Sequence, residues 1–250
     1  MESSIADALK KAGPRPPDSA LQREKKNYAE RLSRQLAQQI SDALRLHFQG
    51  ILPTQTGKGQ ESVARTAKGF KKLDVNYSTT ELGLGLGVSI KTVTAPDPRT
   101  KRYTKNYTRI DNELRAEAVD YHKRQPFAVM IALIFLPMDA CHDAKAPKAE
   151  GEKREPEPSS FGASVRIFRL RANRRGHQND LDLFERVLIG LYESEGENFG
   201  RVYFFDVMDR PPRYGTPRAS SLLTLDQTVE LIRRTYDARN NPPFEWDVES

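Results

Sequence analysis

A mixed α/β fold is predicted by three features of the chain: two neighbouring runs that alternate apolar and polar residues, two stretches with apolar residues at helical spacing, and one unbroken apolar run. The alternating runs cover residues 73–77 and 82–92, as expected of strands whose successive side chains point to opposite faces. Helical spacing marks residues 22–48 and 108–122. The apolar run, residues 127–136, is ten residues long, which suits a central strand buried on both faces and is too short to cross a bilayer.

Taken in order, residues 1–19 contain Pro14, Pro16 and Pro17 and read as a flexible arm. Residues 22–48 form a long amphipathic helix carrying Tyr28, Leu32, Leu36, Ile40, Leu44 and His47, suited either to cover a sheet or to pair with a second subunit. In the run 73–77, Leu73, Val75 and Tyr77 share one face and Asp74 takes the other. The run 82–92 sets Leu82, Leu84, Leu86, Val88 and Ile90 on one face, with Gly83, Gly85, Gly87, Ser89 and Lys91 opposite. Glycines there leave the surface open to a close-approaching backbone or ligand. A tight hairpin with Tyr77 opposite Leu82 would leave Asp74 facing Gly85, about 13 Å short of Ser89. Pairing Tyr77 with Leu86 brings Asp74 opposite Ser89 instead, with residues 78–85 as a wider loop that Thr79, Thr80, Glu81 and Gly83 permit.

Residues 108–122 then form a helix, with Thr108 as its cap and Asp111 three residues on. Ile110, Leu114, Ala118 and Tyr121 lie at helical spacing, and Glu113 and Glu117 stand one turn apart. After the apolar strand, residues 138–160 are charged and proline-bearing, bury too little apolar surface to fold, and read as a mobile insertion or a hinge. Val165, Ile167, Phe168 and Leu170 predict a strand over 164–171, followed by a helix over 181–192 and a buried strand over 202–207. That order extends the same sheet through the C-terminal part, 161–250, which closes with an amphipathic helix over 225–236. The long helix and the core together occupy 20–137.

Chemistry gathers at the end of the alternating hairpin. A carboxylate on one strand (Asp74), a lysine on the next (Lys91) and a carboxylate on the following helix (Glu113 or Glu117) form a kit for hydrolysing a phosphodiester with a divalent metal. Mg²⁺ or Mn²⁺ is the expected cofactor, because hard cations take oxygen ligands, and the backbone carbonyl of Ile90 is a further neutral donor. An ammonium group helps position the attacking hydroxide.

The spacing of Asp74 with Ser89, Ile90 and Lys91, followed by a helix and an apolar strand, resembles the PD-(D/E)XK nuclease superfamily over roughly residues 59–137. The resemblance implies a restriction-endonuclease-like core of helix, antiparallel strands, helix and strand, with metal bound at the aspartate and at an acid-x-lysine. Leu73 stands where the nominal proline would be and Ser89 where the second acid belongs. A subgroup of type II restriction enzymes is similar, with serine-x-lysine and the acid moved to the next helix, which makes Glu113 or Glu117 the migrated acid. Glu61, in GKGQESVAR, resembles the acid on the superfamily's first core helix. A DNA endonuclease in bacterial defence is what this implies; the alternatives are an inactive nucleic-acid-binding subunit and a purely structural partner protein.

Charge agrees with an anionic partner: the formal net charge is +6. Arg99, Lys101, Arg102, Lys105 and Arg109 interleave with Tyr103 and Tyr107, and Arg174 and Arg175 belong to a second basic cluster. Both are candidate contacts to DNA, with RNA left open, the cations for phosphates and the tyrosines for stacking on bases or hydrogen-bonding to phosphates. Double-strand cleavage with one site per chain would favour a homodimer, and a partner protein is expected to license activity. Cys141 is the only cysteine, so an intrachain disulfide and a cysteine zinc cluster are excluded. His47, His122, His142 and His177 lack metal-ligand spacing, and GLGLG falls short of a dinucleotide fingerprint. With a polar N-terminal segment, a cytoplasmic protein without a membrane partner is expected.

Overall fold

A computed structural model describes residues 4–81, 83–144 and 157–240. The chain is a mixed α/β structure whose central sheet has the order β3-β4-β5-β6-β7. These strands are β3 (Val75–Thr79), β4 (Gly83–Thr92), β5 (Val129–Pro137), β6 (Arg186–Tyr192) and β7 (Val202–Asp206). A separate hairpin, β1 (Ser62–Thr66) with β2 (Gly69–Leu73), precedes them. The sheet is parallel at β4–β5 and β5–β6 and antiparallel at both edges. Among the described residues the helices are α1 (Ala6–Ala12), α2 (Gln22–Leu44), α3 (Tyr107–Arg124), α4 (Ser160–Phe168) and α5 (Leu225–Arg239).

Helices cover both faces of the sheet. Met130, Ala132, Ile134 and Leu136 of β5 pack with Leu114 and Tyr121 of α3 and with Phe161 and Val165 of α4. Val129, Ile131, Leu133 and Phe135 pack on the other side with Leu32, Leu36 and Ile40 of α2 and Ile232 of α5. Burial on both faces is why β5 reads as one continuous apolar run. It also settles the role of α2, which covers the sheet. The helix ends at Leu44, and His47 is exposed beyond it.

Several expectations are corrected. Part of the expected arm folds as α1, because Ile5, Ala8, Leu9 and Ala12 recur at helical spacing and are buried against α2. The expected strand at 164–171 is helical: Phe161, Val165 and Phe168 fall on one buried face of α4, capped by Ser159. The helix expected over 181–192 is the strand β6, whose run from Val187 to Tyr192 is buried throughout. Short apolar runs do not distinguish helix from strand by period alone. The sheet is nonetheless extended by β6 and β7. Thr108 does not cap α3; the helix starts at Tyr107 after Asn106, and Asp111 pairs with Arg171. Residues 145–156 of the expected insertion lie outside the described residues, and its flanks are folded. Asp143 accepts the amide of Ser160 at 2.6 Å, and Glu157 pairs with Arg102. No described helix is long and apolar enough to cross a membrane.

Candidate active site

Register decides the site. Val75 pairs with Val88 and Tyr77 with Leu86, but Ser78 pairs with Leu84, so one extra residue, Gly85, is absorbed in a bulge. The hairpin is therefore close-paired down to Thr79 and Gly83 rather than carrying a wide loop. The bulge also reverses which face the side chains take. Leu86, Val88 and Ile90 enter the core under α2, whereas Leu84 enters the core under α3; Leu82 lies outside the described residues. Nor is the glycine face bare: a Cβ on Gly87 would meet the Met130 sulfur at 2.7 Å and Leu73 at 3.1 Å. Protein side chains, not a ligand, fill that space.

Asp74 occupies the bend between β2 and β3, just before the first paired residues Val75 and Val88. The expected single face of Leu73, Val75 and Tyr77 is broken there, Leu73 entering the core under α3 and Val75 the core under α2. Asp74 Oδ2 accepts the Ile90 amide at 2.6 Å. In an extended strand the N–H and C=O of one residue point to the same edge, so the Ile90 carbonyl is turned toward the Asp74 side as well. From α3, Glu117 reaches down to both β4 residues: Ser89 Oγ donates to its Oε2 at 2.6 Å and Lys91 Nζ to its Oε1 at 2.7 Å. Glu113, one turn earlier, lies 3.6 Å from Lys91 Nζ and is half-exposed, shared with Arg109 at 3.3 Å. Tyr121, one turn after Glu117, donates to the carbonyls of Lys71 at 3.0 Å and Lys72 at 3.3 Å, which fixes β2 and hence Asp74 against α3. Sequence reasoning missed this tether, because Tyr121 read simply as an apolar position of the helix.

Electrostatics follow from the enclosure. Burial pushes the Asp74 carboxyl up to about 6, against the lowering effects of the Ile90 amide and of Lys91. Burial pulls the Lys91 ammonium down, but the charge and hydrogen bond of Glu117, with Asp74 and Glu113, outweigh it and hold the group above its ordinary value. Lys91 is therefore a firmly protonated cation wedged among carboxylates.

No family model, curated protein or solved structure matches the chain.

Other expected site residues are placed differently. Glu61 is on no helix; it sits with φ 51° in the turn before β1 and pairs with Lys72 at 3.0 Å and Arg34 at 3.8 Å. Arg102 is buried and paired with Glu157 and the Pro158 carbonyl. Tyr103 and Tyr107 are core residues, the latter donating to the Ser160 carbonyl at 3.1 Å. None of these three is open to nucleic acid. Arg174 is likewise enclosed, 2.9 Å from the buried Glu185. Arg99, Lys101, Lys105, Arg109 and Arg175 remain exposed.

Among the described residues, no three His, Cys, Asp and Glu side chains gather as a metal-binding group. The donors beside Ser89–Lys91 are two carboxylates, Asp74 and Glu117, and the backbone carbonyl of Ile90. All are oxygen, as a hard divalent cation requires, and a buried carboxyl whose ionisation is disfavoured is one that a cation would stabilise. The donor set fits Mg²⁺ or Mn²⁺.

Proposed function

We propose that the chain is a metal-dependent endonuclease of restriction-endonuclease-like fold that hydrolyses DNA phosphodiester bonds. The observation that carries this reading is the meeting of Asp74, Lys91 and Glu117 at one end of the β3–β4 hairpin under α3. Asp74 comes from the bend between β2 and β3, Lys91 from β4 and Glu117 from α3, and the next strand, β5, runs parallel beside β4. That order agrees with the core of the PD-(D/E)XK superfamily in its serine-x-lysine form.

In this reading Asp74, Glu117 and the Ile90 carbonyl would hold Mg²⁺ or Mn²⁺. The chemistry the cation supplies is a more acidic water and neutralisation of charge on the phosphate. Lys91 Nζ orients the attacking water and donates to the phosphoryl oxygen as negative charge builds there. Ser89 orients Glu117 by its 2.6 Å hydrogen bond. Exposed Arg109, which shares Glu113 with Lys91, neutralises a phosphate beside the scissile bond, with exposed Lys101 and Lys105 in the segment before α3 as further phosphate contacts. Cytoplasmic defence against foreign DNA is the setting this activity suits, with a homodimer supplying two sites for a double-strand cut.

A second reading has its own observation. Both oxygens of Glu117 are already engaged, by Ser89 and Lys91, and a closed network of this kind suits an inactive nucleic-acid-binding subunit. The deciding experiment is Mg²⁺-dependent cleavage of plasmid and linear DNA by the purified chain beside Lys91→Ala. The nuclease reading expects cleavage that falls by about 100-fold or more in the variant. Salt-dependent DNA binding without cleavage, in Mg²⁺ and in Mn²⁺, would favour the binding subunit.

A further inference from the structure

The β1–β2 hairpin has one face turned to the protein and one turned away from it. Ala64, Thr66 and Leu73 are buried, while Val63, Arg65, Phe70 and Lys72 share the outer face. Phe70 is 68% exposed and Val63 57%. Arg65 pairs with Phe70 across the ladder, and its guanidinium carbon lies 5.6 Å from the ring centroid. Between the hairpin tip and the C-terminal end of α3 runs a groove of about 520 Å³, lined by Arg65, Phe70, Lys123 and Arg124 among others.

Charge around that aromatic is one-sided. Arg65, Lys123 and Arg124 are exposed and, among the described residues, none has an ion-pair partner. Lys68 and Lys71 share a single carboxylate, Asp120, at 3.6 and 3.4 Å. The hairpin is also anchored: the Ala67 amide donates to the Asp120 carbonyl at 3.0 Å, and Tyr121 holds the carbonyls of Lys71 and Lys72. A rigid, cationic ribbon with an exposed ring complements a partner that carries both negative charge and flat apolar faces. Duplex DNA offers the charge but hides its base faces in the stack, whereas an unpaired strand offers both.

We propose that the β1–β2 hairpin is a docking element for an unpaired nucleic-acid strand, with a base stacked on Phe70 and phosphates held by Arg65, Lys123 and Arg124. This rests on the nuclease reading and adds a substrate preference to it. Strand β2 runs from Phe70 directly to Asp74, four residues and about 13 Å away, so a strand docked on the hairpin is led toward the site. The preferred substrate is then a nucleic acid with a single-stranded segment beside the scissile bond.

The test is fluorescence anisotropy of a labelled oligothymidylate and of a duplex of equal length with the full chain, in chelator so that nothing is cut. Phe70 is exposed, so its replacement leaves the core intact. Tighter binding of the single strand is expected, weakened about tenfold or more in Phe70→Ala and retained in Phe70→Tyr. Lys123→Ala with Arg124→Ala should lower the salt slope by about one to two. Single-strand binding unchanged in Phe70→Ala, or equally weak in Phe70→Tyr, would overturn the proposal. So would phosphatidylserine vesicles bound as tightly as the oligonucleotide with the same dependence on Phe70. The two readings fail separately: a chain that binds the strand through Phe70 and never cuts removes only the nuclease, and one that cuts while Phe70→Ala binds like wild type removes only the hairpin.

Discussion

Asp74 accepts the amide proton of Ile90 at 2.6 Å, at the point where β3 stops pairing with β4. The side chain thereby takes over the backbone partner that a longer β3 would have supplied. It is held in a buried place where ionisation is costly.

That cost has a sign. The Asp74 carboxyl is raised from 3.8 to about 6, first by burial, so between those values the folded state binds a proton that the unfolded state releases. The contribution of Asp74 to stability is then least unfavourable below about pH 4, worsens as pH rises to about 6, and carries its full cost above that. Asparagine accepts the same amide without a charge. Asp74→Asn should therefore be more stable than wild type at pH 7.5 by about 1–3 kcal/mol, with the difference gone at pH 4, and should not cut DNA. Equal urea midpoints at pH 7.5 would sink this account.

Divalent cations should show the same titration from the other side. A cation held by Asp74 competes with the proton, so the rise in Tm produced by Mg²⁺ should be small at pH 5 and grow as pH passes about 6. In Asp74→Asn the Mg²⁺ effect should be weaker and flat with pH. Thermal scans with Mg²⁺ and with chelator across that range check it, and a pH-independent shift in wild type would remove Asp74 from the site.

The two helix glutamates are predicted to be unequal. Glu117 touches Ser89 and Lys91 directly, whereas Glu113 meets Lys91 only at 3.6 Å and is shared with Arg109. Glu117→Ala should lower the cleavage rate by about 100-fold or more, and Glu113→Ala by about tenfold or less. Rates from matched preparations decide the matter, and the reverse ranking would make Glu113 the ligand.

Arg174 serves stability. Its guanidinium lies 2.9 Å from Glu185 Oε1, with Arg239 at 3.3 Å from the same oxygen, and Glu185 Oε2 accepts the Met130 amide at 2.7 Å. Glu185→Ala strands two cations, one of them fully buried, and should cost about 3–5 kcal/mol. Urea unfolding measures it. A loss under about 1 kcal/mol would mean that the network contributes little.

Much of this was legible in the residues, and the illegible part has a common cause. Period-two alternation identified β3 and β4, the apolar run identified β5, and helical spacing identified α2, α3 and α5, because burial on a face imposes those periods locally. The same logic put Ser89 and Lys91 on one face and offered Glu113 and Glu117 as alternatives. It also gave Leu73, Val75 and Tyr77 one face, whereas the bend at Asp74 sends Leu73 and Val75 into opposite cores. Where both faces of an element are buried, as in β6, or where the element is short, as in α1 and α4, the period says little and the assignments went astray.

Contacts between distant segments were decided only by the tertiary structure. A single inserted residue at Gly85 sets the β3–β4 register and turns Leu84 to the opposite core from Leu86. Packing of α3 on the sheet selects Glu117 over Glu113 for Ser89 and Lys91, while Tyr103, Tyr107, Arg102 and Arg174 are withdrawn from solvent by contacts with other segments, among them Ser160, Glu157 and Glu185. An amphipathic pattern records that a side chain is buried; which group it meets there depends on how whole elements pack, and no local spacing encodes that.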